Sequence, residues 1–341
     1  MKTLAGKLDP TVTIDKDVIF LVSVPASLIL VSTLSALLYR WGILQRVVQA
    51  MTWLMRKSMR TSGSESLAAV ANIFLGQGES ALVIRPYLAG MTKSEIMALM
   101  TVGMATINAA MVVVYSSWNG VCSLQPGDLV TASMMGAPGA LVIAKIMLPE
   151  TETSKTAEAD VFMASRTKKN IFDVACRGAM DGVMLSVNII AGVIAFVALV
   201  ALANWIFLGV QRRCGIGQPQ SLEDLLGYVN APFAWLIGVP RHDCLLVGSL
   251  MGKRIVLNEF LAYQSLVKST SLAPRSCLLA TYALCGFANF ASIAIQIGGI
   301  GRLAPARRRY LAELGLRAMI GGILSCYLSA AMVGLIASDR Q

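Results

Sequence analysis

The stretch Ala71-Asn72-Ile73-Phe74-Leu75-Gly76-Gln77-Gly78-Glu79-Ser80 sets amides, two glycines and a carboxylate in the middle of an apolar run extending from residue 64 to 88. Such groups are costly to expose to lipid at the centre of a membrane span. The physical escape is a re-entrant hairpin, in which two short helices meet at a Gly-containing tip buried in protein. Arg85, near the end of the run, reads either as a salt-bridge partner of a hairpin Glu or, the favoured reading, as an arginine that snorkels from the hairpin base.

That reading requires a chain that lives in lipid. Of the 341 residues, 56% are apolar and only 14% charged, and mean hydropathy is +0.66. A soluble chain carries roughly 25% charge, and several apolar runs here reach the ~20 residues a membrane helix needs. The net charge of +10 does not indicate a nucleic-acid partner. The basic residues occupy short loops, as in cytoplasmic loops of membrane proteins. His242 is the only histidine, which nearly excludes His-based catalysis. None of the seven cysteines forms a CxxC pair, and most lie in apolar segments, so neither a disulfide framework nor a zinc site is expected. Residues 1–17 carry several charges and Pro10, and no small-residue cleavage pattern follows, so they do not read as a signal peptide.

Along the chain, a first span covers residues 18–44 and an amphipathic interfacial helix covers 46–60. After the hairpin, a span at 94–117 holds Thr106 and Asn108 near its centre, which predicts a break. A span at 129–148 precedes a charged loop at 149–170. A short amphipathic piece at 171–182 leads to a long span at 184–210. Residues 221–239 read as interfacial. The odd pattern then recurs: 244–266 is apolar yet contains Lys253, Arg254, Asn258 and Glu259. A span at 277–300 follows, with Asn289 and Ser292 near its centre, and 316–337 is the last span.

Orientation tests the two-hairpin reading. If each hairpin returns to its own side, the basic clusters at 46–60, 166–177 and 302–317 all fall in the cytoplasm. The second unit is then inverted relative to the first. Inverted repeats whose broken helices meet at the midplane are the architecture of secondary transporters. The expected fold is an all-α integral membrane protein: a polytopic helical bundle with two re-entrant hairpins and broken helices in an inverted repeat. The expected divisions are a tail (1–17), a scaffold span with its interfacial helix (18–60), a first transport repeat (61–148), a loop and scaffold span (149–220) and a second transport repeat (221–341).

Gln77, Glu79, Glu259, Asn289 and Ser292 are then polar groups at membrane depth. A carboxylate accepts hydroxyl donors, which suits a vicinal diol such as ribose, and an amide pairs a donor with an acceptor, which suits a nucleobase edge. A lone membrane Asn or Ser often serves as packing glue; two Glu at equivalent places of inverted units need a further reason. Asn72 and Thr106 offer hard oxygen ligands for a small cation. Phe287 and Met111 lie near the breaks, where each either packs on a base or fills the apolar core. A membrane-embedded enzyme is disfavoured, since no nucleophile–base pair or metal-ligand cluster is present in the sequence.

The chain resembles the concentrative nucleoside transporter family, the bacterial type of sodium/nucleoside cotransporter, from about residue 18 to 337. The resemblance lies in the opening stretch, in Val83-Ile84-Arg85-Pro86-Tyr87, Pro149-Glu150-Thr151-Glu152, Asn258-Glu259-Phe260-Leu261-Ala262-Tyr263, Cys285-Gly286-Phe287-Ala288-Asn289 and Leu303-Ala304-Pro305. It implies that Gln77 and Glu79, with Gly78 between them, meet the nucleobase, and that Glu259, Asn289 and Ser292 hold the ribose. It implies a sodium site of Asn72, the Leu75 carbonyl, Thr106 and the Ile107 carbonyl, with Na+ as coupling ion and no other cofactor. It also implies a homotrimer in the plasma membrane, moving by an elevator-like mechanism and importing nucleosides. A proton-coupled symporter is the alternative, ahead of a non-transporting nucleoside-binding membrane protein. Three departures stand out. Gly78 replaces a usual Thr or Ser and loses one hydroxyl to the base. Asn108 and its neighbours replace a small, Gly-containing patch. Typical bacterial members carry about two further spans ahead of Val18.

Overall fold

Polar punctuation sets where several of the helices begin. Ser62 and Glu65, Thr92 and Glu95, and Ser221 and Asp224 each form a capping box, in which the first side chain accepts from the backbone N–H three residues on and the second accepts in return. Each satisfies two orphan donors of a helix start. The structure, a computed structural model, describes residues 16–59, 61–118, 120–154, 156, 170–215 and 220–337; of these, the side chains of 16–24, 27, 78, 79, 82, 185, 188, 189, 192, 193, 196 and 197 are not described. The described residues form helices and connecting turns, with no strand.

Helix α1 (Lys16–Trp41) is followed by α2 (Ile43–Met59), which turns away by 77°. Gly42 sits between them at φ +77, a left-handed conformation that glycine adopts without a Cβ penalty. Leu44, Val48, Thr52 and Met55 form the buried stripe of α2, and the charged side returns to solvent. The first hairpin comprises α3 (Gly63–Leu75), α4 (Gln77–Val83) and a short α5 (Arg85–Leu88), with Arg85 exposed. The broken span follows as α6 (Lys93–Ala105) and α7 (Ala109–Ser116), then α8 (Pro126–Met147).

Helix α9 (Ile171–Arg213) is continuous over 43 residues. This corrects the expectation of a short amphipathic piece followed by a separate span. Gly182, at the expected division, is not a breaker: it lies against α1, where an added Cβ would come within 2.5 Å of the Ile29 Cα. Small residues spaced four apart (Gly178 and Gly182) let two membrane helices approach closely. At 1.5 Å per residue α9 is about 65 Å long, roughly twice the hydrocarbon thickness.

The second half comprises α10 (Leu222–Ile237), α11 (Cys244–Val256), α12 (Glu259–Lys268), α13 (Pro274–Leu284), α14 (Phe290–Leu303) and α15 (Arg308–Ile336). Helix α10 packs along α11, and α15 packs against α6, α8, α13 and α14. The Tyr327 hydroxyl on α15 donates to Asn230 on α10 at 2.7 Å. The spans at residues 93–116, 126–147 and 305–336 are each long and apolar enough to cross a membrane.

A polar network joins the first hairpin to the loop after α8. The Lys145 ammonium pairs with buried Glu65 and with Glu150. Glu150 accepts from the Thr92 hydroxyl at 2.7 Å. The Pro149-Glu150-Thr151-Glu152 stretch therefore has a structural use.

Cys122 and Cys277 form a disulfide, their Cα atoms 5.5 Å apart. This overturns the expectation of no disulfide. The two lie 155 residues apart, one after α7 and one in the first turn of α13, so sequence spacing carries no trace of the meeting. The other five cysteines are free.

Candidate substrate and cation sites

Gly76 ends α3 at φ +88, its N–H donating to the Asn72 carbonyl at 3.1 Å. The Asn72 side chain is 2% exposed. Its Nδ2 donates to the Val102 carbonyl at 3.1 Å and to Thr106 Oγ1, and its Oδ1 accepts from the Ser80 hydroxyl at 3.1 Å. Residues 106–108 are the non-helical break between α6 and α7. The Ile107 N–H and carbonyl both meet the Ser133 hydroxyl at 3.1 Å. Asn108 caps α7, accepting from the Met111 N–H at 2.9 Å, and packs on the hairpin tip, where a Cβ on Gly76 would lie 3.0 Å from its own.

Asn72 and Thr106 therefore touch through the Asn72 NH2, while the Asn72 oxygen meets Ser80. Leu75 closes α3, where helix carbonyls have no partner within the helix. Ser80 is a residue that sequence reasoning missed. It lies in the opening stretch, but eight residues from Asn72 is about 12 Å along an unbroken helix; only the fold back at Gly76 brings the two together. Oxygens from Asn72, Ser80 and Thr106 are hard donors, suited to a small hard cation.

The second hairpin turns at Leu257 and Asn258. Asn258 caps α12, accepting from the Leu261 N–H at 2.9 Å, which makes Glu259 the first residue of that helix. A helix N-terminus favours a carboxylate. Glu259 is 5% exposed. Its Oε2 accepts from Asn289 Nδ2 at 3.0 Å and its Oε1 from the Tyr115 hydroxyl at 3.4 Å. Asn289 Oδ1 in turn accepts from the Ser292 N–H at 2.9 Å, capping α14. Phe287 lies in the break before α14, partly buried against the core. Tyr115 was not anticipated; it is fully buried, with its ring 4.6 Å from that of Tyr263. Arg254 is also fully buried and donates to the Ala283 carbonyl at 2.8 Å.

Helix α14 connects the two hairpins. Gln296 stands one turn beyond Ser292 on the same face. Its Nε2 donates to Gln77 Oε1 at 3.0 Å and to the Met100 carbonyl at 3.2 Å. The helix thus meets the second hairpin through Asn289 and the first through Gln296. Met111 is buried beside the α6–α7 break. The Glu79 side chain and Gly78 are outside the described set, so the base-site expectation is represented structurally by Gln77 alone.

A family model described as "Na+ dependent nucleoside transporter C-terminus" matches residues 128–334, and one described as "Nucleoside recognition" matches residues 21–120. The chain belongs to the concentrative nucleoside transporter family. Among relatives in this family, the uncharacterized transporter YutK of Bacillus subtilis is 41% identical over 93% of this chain and 78% of its own length. Sodium/nucleoside cotransporter 1 of Rattus norvegicus is 38% identical over 95% of the chain. The chain spans about half the length of that transporter and of solute carrier family 28 member 3 from Mus musculus. The structure of CNTnw in an inward-facing, substrate-bound state is 37% identical, covers 93% of the chain and 74% of CNTnw, and superposes with a TM-score of 0.83. A CNTnw variant in an outward-facing state gives the same score at 36% identity. Membership places the helical bundle among membrane transporters.

Proposed function

We propose that the chain is a sodium-coupled symporter that imports nucleosides by elevator-type alternating access. The observation that carries this reading is the face of α14. At its start, Asn289 and Glu259 present an amide and a carboxylate, fit for the hydroxyls of a ribose. Seven residues on, about 10 Å along the axis, Gln296 holds Gln77, whose amide is fit for a base edge. That separation matches the long dimension of a nucleoside.

Asn72, Ser80, Thr106 and the Leu75 and Ile107 carbonyls form the sodium site in this reading. Asn72 lies one turn before the tip that carries Gln77. Sodium binding there stabilises the tip and so raises affinity for the base. By reciprocity, nucleoside raises affinity for sodium to the same extent. At about −100 mV each inward charge supplies about 2.3 kcal/mol, roughly fifty-fold accumulation.

Residues 61–148 and 221–341 are the two transport repeats, each with its re-entrant hairpin. Residues 18–60 and 149–220 contribute scaffold. The inward- and outward-facing states of CNTnw support a moving transport domain, and family membership supports a homotrimer in the plasma membrane. Calorimetric titration of uridine and adenosine into the purified protein tests the reading: at least one binds, and binding weakens about ten-fold or more when sodium is replaced by choline. No binding of either in sodium would contradict it.

A further inference from the structure

Gln296 is 2% exposed, and its amide has its orientation dictated rather than chosen. The Met100 carbonyl can only accept a hydrogen bond, so the group facing it at 3.2 Å must be the Gln296 NH2. The other proton of that NH2 points to Gln77, 3.0 Å away, and the Gln77 atom there must be the acceptor Oε1. Reversing Gln296 would set its oxygen against the Met100 oxygen. A chain of forced assignments therefore runs from a backbone carbonyl through Gln296 to Gln77. It leaves the Gln77 NH2 as the group turned away from the tie.

Two further observations show that this arrangement is built around an amide. Gln296 Oε1 is buried with no hydrogen-bond partner among the described residues, a cost that a residue merely filling the core would not carry. Gly103 makes the space: an added Cβ would come within 2.5 Å of Gln296 Nε2 and 3.2 Å of the Gln77 Cβ.

We infer that Gln296 is a specificity-determining residue: it locks the Gln77 amide so that an N–H donor faces the substrate, and so selects bases that present a hydrogen-bond acceptor at that edge. This rests on the proposed nucleoside site, with Gln77 at the base. Uracil and hypoxanthine carry an exocyclic oxygen where cytosine and adenine carry an amino group. A fixed donor distinguishes within each pair, because the amino base sets donor against donor. An amide free to rotate distinguishes neither.

The test is competition binding to the purified transporter in sodium, with uridine against cytidine, inosine against adenosine, and uridine against 3′-deoxyuridine. The wild type is expected to prefer the keto base by about ten-fold in each of the first two pairs. Gln296→Met keeps the length but has no NH2 to hold Gln77, and should bring both ratios to within about two-fold of one. Gly103→Ala, which displaces the Gln296 amide sterically, should do the same and provides a second variant should the first fold poorly. The 3′-deoxyuridine ratio, read by the Glu259 end, should stay at its wild-type value in both. Keto preference that survives in the variants, or no preference in the wild type, overturns the role of Gln296. A parallel collapse of the ribose ratio also overturns it, because that is the signature of general loosening. No nucleoside binding by the wild type would instead remove the functional reading beneath it.

Discussion

Asn289 Nδ2 and Glu259 Oε2 stand 3.0 Å apart, tying the break before α14 to the tip of the second hairpin. The carboxylate also accepts from Tyr115 and retains acceptor capacity for ligand hydroxyls. Glu259→Gln keeps the shape but removes the charge and one acceptor position. Uridine affinity is expected to fall about thirty-fold or more, the equivalent of about 2 kcal/mol, with the unfolding temperature in detergent little changed. Wild-type affinity in this variant would remove Glu259 from the site.

The cation reading concentrates on Asn72, whose oxygen meets the Ser80 hydroxyl. Asn72→Ala should raise the sodium concentration for half-maximal uridine binding by about ten-fold, the loss of one ligand's worth of about 1.4 kcal/mol. Ser80→Ala should raise it by less. A sodium titration that superposes on the wild type for Asn72→Ala rejects that residue as a ligand.

Gly76 combines a left-handed backbone with direct contact on Asn108. Gly76→Ala imposes strain of about 1–3 kcal/mol, expected as a lower unfolding temperature and weakened uridine binding together. Adding Asn108→Ala removes the contacts with its Nδ2 and Cγ but leaves its Cβ and the backbone strain in place, so it should restore stability only partially. Full restoration would show that φ at this tip is unimportant.

The Cys122–Cys277 bond predicts a thiol count. Without reductant, the denatured protein should react with five equivalents of a maleimide, and after reduction with seven, following the five free and two bonded cysteines. In the topology with all basic clusters inside, this pair faces the exterior, where disulfides persist. Cys122→Ser should lower stability by about 2–4 kcal/mol. Seven reactive thiols in the unreduced protein would contradict the pairing.

The breaks that organise the fold are legible because each puts polar residues where an apolar run should continue: Asn72 to Glu79, Thr106 to Asn108, Asn258 to Glu259, and Asn289. The membrane's intolerance of unpaired polar groups leaves few alternatives at such places. The site partners are harder to read. Ser80, Tyr115 and Gln296 are ordinary residues in sequence; Ser80 matters through the fold back at Gly76, the other two through contacts far along the chain. Tyr115 reaches Glu259 from 144 residues away and Gln296 reaches Gln77 from 219. The continuity of α9 is hidden for a related reason, because Gly182 looks like a break until its packing on Ile29 is seen.

The most direct measurement is uptake of radiolabelled uridine and adenosine into proteoliposomes with and without an inward sodium gradient. Accumulation of at least one above the external concentration, abolished when sodium is equal on both sides at zero potential, is the expected result. Accumulation that ignores sodium but follows an imposed proton gradient, or no nucleoside flux from correctly inserted protein, would contradict sodium-coupled nucleoside import.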